Sequence, residues 1–504
     1  MNSTTKNQSY GQILQSTALV GGSQVIKILI GIIRTKILAV LLGPAGIGLM
    51  GMYDAVTRTV GAITGMGIGS SGVRQIAEAE GTGDQRKIVR TIVTLRRAAL
   101  VLGALGMLLT IILSEPLSLL TFGDATHSGQ IAVLSVTIFL AAVSAGQVAL
   151  VQGMRRIADL AILSVLEALL GTVVGIPMIF LWGKEGIVPL LITVGAMTIL
   201  TSWWYARKIP VARIAIGWRE ILRELRALLA LGLVIMAVGL MSTAAMYLIQ
   251  ILVVRQIGLD GVGLYLAAAT LSGLYIDVIL SAMGRDFYPR LTAVAVDNEA
   301  CNRMVNEQTE VGLLVAAPGI LATLTFAPLI IPLFYSASFI PAYYVLRWQI
   351  LGIFLRVVAW PLSYILLAKG EGKIYFWTHL TANTVHVTLA WIGVVYFGLE
   401  GIGIAFFALH VFFTVMMMAV VNHLSGFRWS TTSLRFIVVG SVGVALTFLI
   451  PRFAAQNIAL VLGSLLTLIS AIYSLRTLYR IVGPDWIIEF REKLKSRLGW
   501  SKIK

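Results

Sequence analysis

The 504 residues include 39 Lys and Arg against 23 Asp and Glu, a net charge of +16, yet only 12% of the chain is charged and 58% is hydrophobic. With a mean hydropathy of +0.89, this composition excludes an ordinary water-soluble globule and indicates an all-α polytopic membrane protein. The surplus of positive charge falls in alternate loops between apolar runs, the pattern of a membrane topology signal and not of a nucleic-acid partner; the single cysteine, Cys301, excludes an internal disulfide and is expected in a cytoplasmic loop.

Taken in chain order, apolar runs of membrane-crossing length fall at 14–42, 49–72, 98–113, 131–151, 157–181, 187–205 and 228–254. A second set follows at 264–283, 311–334, 343–367, 374–397, 404–421, 436–450 and 458–473. That predicts fourteen transmembrane helices. The first run is too long for a signal-peptide core and lacks a cleavage site, so it should remain as a membrane helix. Arg74, the cluster Arg86 to Arg97, Arg155, Arg156, Arg207 to Arg226 and the tail from Arg476 all fall on one side, so both termini should be cytoplasmic. The longest outer loop, about 114–130, offers only Glu115, Asp124 and His127.

Two segments are amphipathic at helical spacing. Ile214, Trp218, Ile221, Leu222, Leu225 and Leu229 oppose Arg219, Arg223 and Arg226, and in the tail Ile487, Phe490, Leu494 and Leu498 oppose Arg491, Lys493, Lys495 and Arg497. Both should lie in the inner interface against anionic headgroups.

An internal repeat organises the rest. Gly43-Pro-Ala-Gly-Ile-Gly-Leu49 recurs as Gly258-Leu-Asp-Gly-Val-Gly-Leu264, and Gly183-Lys-Glu-Gly-Ile187 as Gly398-Leu-Glu-Gly-Ile402, both at an offset of 215 residues. Because the repeated unit has an even number of helices, its copies should be related by a pseudo-twofold along the membrane normal. The expected organisation is therefore an N-terminal six-helix lobe at 1–206, an amphipathic linker at 207–227 and a C-terminal six-helix lobe at 228–423. Two extra helices follow at 424–480, then a basic amphipathic tail at 481–504.

Charge breaks this symmetry. Lys27, Arg34, Lys36, Arg58, Arg347 and Arg356 lie inside apolar runs, while the acids within such runs are Asp54, Glu167 and Asp277. A cation at bilayer depth costs at least about 3 kcal/mol, so retained cations should face a watery cavity or a partner. The surplus of cations over acids points to an anionic cargo. Arg58, ten residues past Gly48, should sit about 15 Å below the outer turn. It can alternatively pair with Asp54 at i, i+4, and Lys27 can snorkel to the inner interface. Glu167 and Asp277, with Asp54, are the candidates for coupling to an ion gradient, or else they pair with basic neighbours.

Catalytic and cofactor motifs are missing. Gly67-Ile-Gly-Ser-Ser-Gly72 fits a dinucleotide fingerprint literally but ends a membrane helix and follows no strand. There is no phosphate-binding lysine loop and no nucleophile elbow. His379 and His386 share a helix face, as a packed pair or a proton relay. The chain is read as a non-enzyme with no cofactor and no metal.

The run Leu38-Ala-Val-Leu-Leu-Gly-Pro-Ala-Gly-Ile-Gly-Leu49 preceded by Arg34, the segment Gly67 to Ala77, Trp348-Gln-Ile-Leu-Gly352 and Ala368-Lys-Gly-Glu-Gly-Lys373 resemble bacterial Wzx-type polysaccharide flippases. These are members of the multidrug/oligosaccharidyl-lipid/polysaccharide exporter superfamily. The resemblance implies two six-helix lobes around a cavity that opens alternately to either face of the inner membrane, with Arg34 lining it. The implied cargo is an oligosaccharide on undecaprenyl diphosphate, the implied partners are membrane lipids and a polysaccharide polymerase complex, and the implied energy source is an ion gradient. Only Arg34 takes its substrate-binding role from the resemblance; those of Arg58 and Arg356, and secondarily of Lys36, Arg347 and Lys27, rest on their depth in the membrane. A membrane polymerase or ligase of the same pathway would need a larger outer loop, and a drug/cation antiporter an acidic cavity.

Overall fold

The computed structural model describes residues 3–82, 84–209 and 217–482. The tail expected over 481–504 lies almost wholly outside them, as does the segment 210–216 of the expected amphipathic linker. Every regular element among the described residues is helical: α1 (Ser3–Gly65), α2 (Ile68–Thr82), α3 (Gln85–Ile112), α4 (Ser114–Phe122), α5 (Ser128–Gly153), α6 (Ile157–Trp182), α7 (Ile187–Ala206) and α8 (Trp218–Gln256). They are followed by α9 (Leu259–Gly273), α10 (Ile276–Ala293), α11 (Asn298–Phe334), α12 (Ala342–Ala368), α13 (Gly372–Ser425), α14 (Thr431–Phe453) and α15 (Gln456–Val482). Among the described residues eight helical runs are long and apolar enough to cross a membrane, or nine if the bent pair α9 and α10 is one span.

The repeated glycines make the turns. Gly43 breaks α1 at φ 65°, Gly258 ends α8 at φ 97°, and Gly183 and Gly398 adopt almost the same conformation, φ/ψ 56°/−131° and 59°/−135°. These positive φ values are strained for any residue with a Cβ. Close backbone contacts also recur at the offset of 215. A Cβ on Gly186 would meet Met178 O, and one on Gly401 would meet Gly393 O, the equivalent atom of the second copy.

Several helices differ from the apolar runs that predicted them. α3 begins at Gln85, capped by Asp84 accepting from Lys87 N at 3.0 Å, and α11 begins at Asn298. Hydropathy stops at the edge of the bilayer, whereas the hydrogen-bonded helix continues through its charged turns. Cys301 is consequently not in a loop: it is fully buried near the start of α11, packed with Phe287, Val305, Leu362, Met417 and Phe427. The outer segment 114–130 contains the short helix α4. The expected second span breaks at Met66–Gly67, where Gly67 passes so close to Gly232 of α8 that neither has room for a Cβ. The expected eighth span bends by 45° between α9 and α10, where the Tyr275 hydroxyl donates to Ala316 O at 3.0 Å and the Tyr275 ring fills the space left by Gly319.

The chain forms two compact units, one of Met1–Leu266 with Pro332–Ile340 and the other of Ala267–Ile331 with Pro341–Lys504. The first is centred on Ile76, Ile92, Leu95, Leu150 and Val151, contributed by α2, α3 and α5. In it α8 packs against α1, α2 and α3. The second is built on α12, packed along the two halves of α13, with α10 and α14 against its other faces.

Candidate functional site

In the first unit Lys27, Arg34 and Lys36 lie on the half of α1 before the break at Gly43, and Arg58 on the half after it. Lys27 is exposed, and its charge reaches Glu167, a half-buried carboxylate on α6. Arg34 is partly buried against α6 at Gly171: a Cβ there would come within 3.4 Å of the Arg34 Nη1. Glycine at 171 thus makes room for the guanidinium, a role that the sequence did not announce. Lys36 donates from Nζ to Pro332 O at 2.6 Å. Arg58 Nε pairs with Asp54 Oδ2 at 2.6 Å within the same helix, and the two side chains remain 73% and 43% exposed. The charge of Asp54 also acts on Arg34, so one carboxylate serves two arginines.

In the second unit Arg356 of α12 pairs with Asp277 of α10, Nη2 to Oδ1, at 2.8 Å, with side-chain exposures of 38% and 58%. Arg356 and Asp277, predicted separately as binder and coupler, are therefore partners. Arg347 is different. Only 8% exposed, it donates to Phe448 O and lies over the rings of Tyr343 and Phe448 at 5.1 and 4.3 Å. Packing holds the guanidinium, but its buried Nε has no hydrogen-bond partner.

Sequence reasoning missed two groups. His410 on the second half of α13 is buried, its Nδ1 bonded to Phe406 O at 2.8 Å, and it lies within Coulombic reach of both Arg356 and His386. A lone histidine on an apolar face gives no signal of its own; only the fold of α13 on α12 brings it near Arg356. Trp348 Nε1 donates to Glu400 Oε1 at 2.7 Å, which holds the break of α13 at Gly398 against α12.

Between α4 and α5, His127 Nδ1 lies 2.9 Å from the Tyr53 hydroxyl, and its ring packs on Phe122 with centroids 4.1 Å apart. Burial pushes the His127 pKa below its ordinary value, partly offset by Asp124. Asp124 is itself held low by hydrogen bonds from Thr126. No group of His, Cys, Asp and Glu suited to a metal ion occurs among the described residues.

Comparison with known proteins gives the chain's family. A family of polysaccharide biosynthesis proteins matches residues 37–344. The lipid III flippase of Escherichia coli K12 is 24% identical over 377 residues, covering 73% of this chain and 88% of that protein. Among solved structures, the lipid II flippase MurJ in an inward closed conformation superposes with a TM-score of 0.68 at 14% identity, covering 92% of this chain and 99% of that one. An inward-facing multidrug transporter of the MATE family gives 0.60 at 18% identity, covering 79% and 95%. The chain therefore belongs to the polysaccharide biosynthesis protein family.

Proposed function

We propose that this protein is a flippase that moves oligosaccharide units on undecaprenyl diphosphate from the inner to the outer leaflet of a bacterial inner membrane by alternating access. The observation that carries this reading is the openness of the ion pairs Arg58–Asp54 and Arg356–Asp277. An arginine held by a buried carboxylate is committed. One held by an exposed carboxylate is exchangeable, and a diphosphate offers the same bidentate acceptor geometry with more charge. Arg34, cradled at Gly171, supplies a further guanidinium. Lys36 and Arg347 already serve carbonyl oxygens and Lys27 faces Glu167, so their part in binding is secondary.

Cargo entering beside Arg356 would release Asp277, and a released carboxylate is free to take a proton or a cation. With Asp54 and Glu167 it forms the route by which an ion gradient would drive the cycle. The architecture is read as fourteen crossings in two six-helix repeats, 1–206 and 228–423, with the helices of 424–480 appended. α13 supports this, because 54 residues in one straight helix would span about 80 Å, far beyond a bilayer, and the chain breaks it at Gly398. Glycine contacts recurring at the offset of 215 support it further. Both termini and the basic loops then face the cytoplasm, with membrane lipids and a polysaccharide polymerase complex as partners.

The test is the accumulation of lipid-linked units on the inner leaflet, normalised to inserted protein, in cells carrying Arg34→Ala, Arg58→Ala or Arg356→Ala. Each should block flipping without loss of insertion, and Lys should rescue only in part. Normal transport by all three variants would overturn the reading.

A further inference from the structure

A second cationic feature lies in the first unit on helices that carry none of these residues. A cavity of about 510 Å³ opens where α3, α5 and α7 meet, lined by Arg96, Leu100, Gln147, Trp203, Arg207 and Ile209, among others. That is within the size range of ligand pockets. Its polar groups are donors. Arg96 and Arg207 are both exposed at the mouth of the cavity, and among the described residues no carboxylate pairs with either. Gln147 Oε1 already accepts from Ser202 Oγ at 2.6 Å, which leaves its NH₂ as the end open to a ligand. The Arg207 guanidinium is fixed by stacking on Trp204 at 3.5 Å and on Trp203 at 4.7 Å.

Two guanidinium groups and an amide NH₂ without a competing acid form a receptor for a phosphate oxyanion. The surroundings say which phosphate. Leu100, Trp203 and Trp204 are exposed apolar side chains, and two tryptophans within one helical turn of a basic pair, Arg207 and Lys208, mark the headgroup level of a bilayer. A ligand here meets cations at one end and lipid-facing hydrocarbon at the other. A zwitterionic headgroup would bring an amine against two arginines, whereas a net-negative one would not.

We infer that the Arg96–Gln147–Arg207 cavity binds the headgroup of an anionic phospholipid of the bilayer, bracing the basic ends of α3, α5 and α7. Basic pockets between membrane helices are a recurrent form of lipid recognition. The site is separate from the proposed transport residues, because no lining residue comes from α1 or α6, and it stands whether or not the protein flips oligosaccharides.

The experiment uses the full chain, delipidated in detergent and offered equal amounts of phosphatidylglycerol and phosphatidylethanolamine, with retained lipid counted by native mass spectrometry. The wild type should prefer phosphatidylglycerol by about tenfold or more, a difference of about 1.4 kcal/mol, and the lipid should raise its unfolding temperature. Arg96→Gln with Arg207→Gln should abolish both effects, while Arg476→Gln on α15 should abolish neither. Arg96→Lys with Arg207→Lys, which keeps the charge and loses the fork and the stacking, should fall between, and serves if the Gln variant does not fold. Absence of a preference in the wild type, or its persistence in the double variant, would overturn the inference. So would equal stabilisation by millimolar inorganic phosphate, which would mark a site for a free anion.

Discussion

Gly48 and Gly263 each sit against the other's turn: a Cβ on Gly48 would strike Leu259 O, and one on Gly263 would strike Pro44 O. Residues 44 and 259, like 48 and 263, are 215 apart, so the contact is its own image under the repeat. Reciprocal contact of this kind is what a local twofold produces. Here it locks the turn that follows the first half of α1 to the turn that precedes α9.

Glycine at these positions should be irreplaceable for packing reasons. Gly48→Ala or Gly263→Ala should destabilise the protein by about 1–3 kcal/mol, because the obstructing atoms are backbone and cannot rotate away. Gly31→Ala, with open space around the added methyl, should be neutral or gain up to about 1 kcal/mol from helix propensity. Unfolding temperatures in detergent compare the three; equal behaviour would refute the packing argument.

The arginines should separate into two classes. Arg347→Ala leaves Phe448 O without its buried donor and should cost about 1–3 kcal/mol of stability. Arg58→Ala removes an exposed pair worth no more than about 1 kcal/mol and should leave stability nearly unchanged while transport fails. Both quantities are measurable on the same preparations, and a stable Arg347→Ala protein would return that residue to a binding role.

Asp277→Asn should weaken the gradient dependence of transport and leave binding of the lipid diphosphate intact, since it frees Arg356. Glu167→Gln should behave in the same way through Lys27. Vesicles with an imposed proton or sodium gradient provide the assay. Unchanged dependence in both variants would make these carboxylates purely structural.

Stability should fall on the acid side through His127. Its folded pKa is lowered by burial, so the neutral ring is the one that the fold accommodates. Stability is complete above the unfolded value of about 6.5 and declines as pH falls through the window down to the lowered folded value. His127→Phe keeps a ring against Phe122 and loses the titration; its unfolding temperature should depend less on pH between 7 and 5 than that of the wild type.

Cys301, fully buried, should resist maleimide until the protein unfolds. Single cysteines placed at Asp84, Arg219 or Lys504 should then label from the cytoplasm and those at His127 or Leu399 from outside. Termini on opposite faces would defeat the fourteen-helix reading and the repeat together.

The sequence by itself determined the class, the apolar segments and the repeated turns. Each of these is local: hydrophobic length is set by bilayer thickness, and Gly43, Gly183, Gly258 and Gly398 are required wherever φ turns positive. It also picked out Asp54 beside Arg58, because a separation of four residues fixes two side chains on one helix face. The tertiary structure decided what depends on neighbours distant in the chain. Arg356 meets Asp277 from 79 positions away, Arg347 is consumed by Phe448, and Arg34 fits because residue 171 has no side chain. Arg96 and Arg207 read as two more topology signals until the packing of α3, α5 and α7 brought them to one open cavity. Hydropathy records whether a residue can enter a membrane; which partner it finds there is set by helix packing, and no local pattern encodes that.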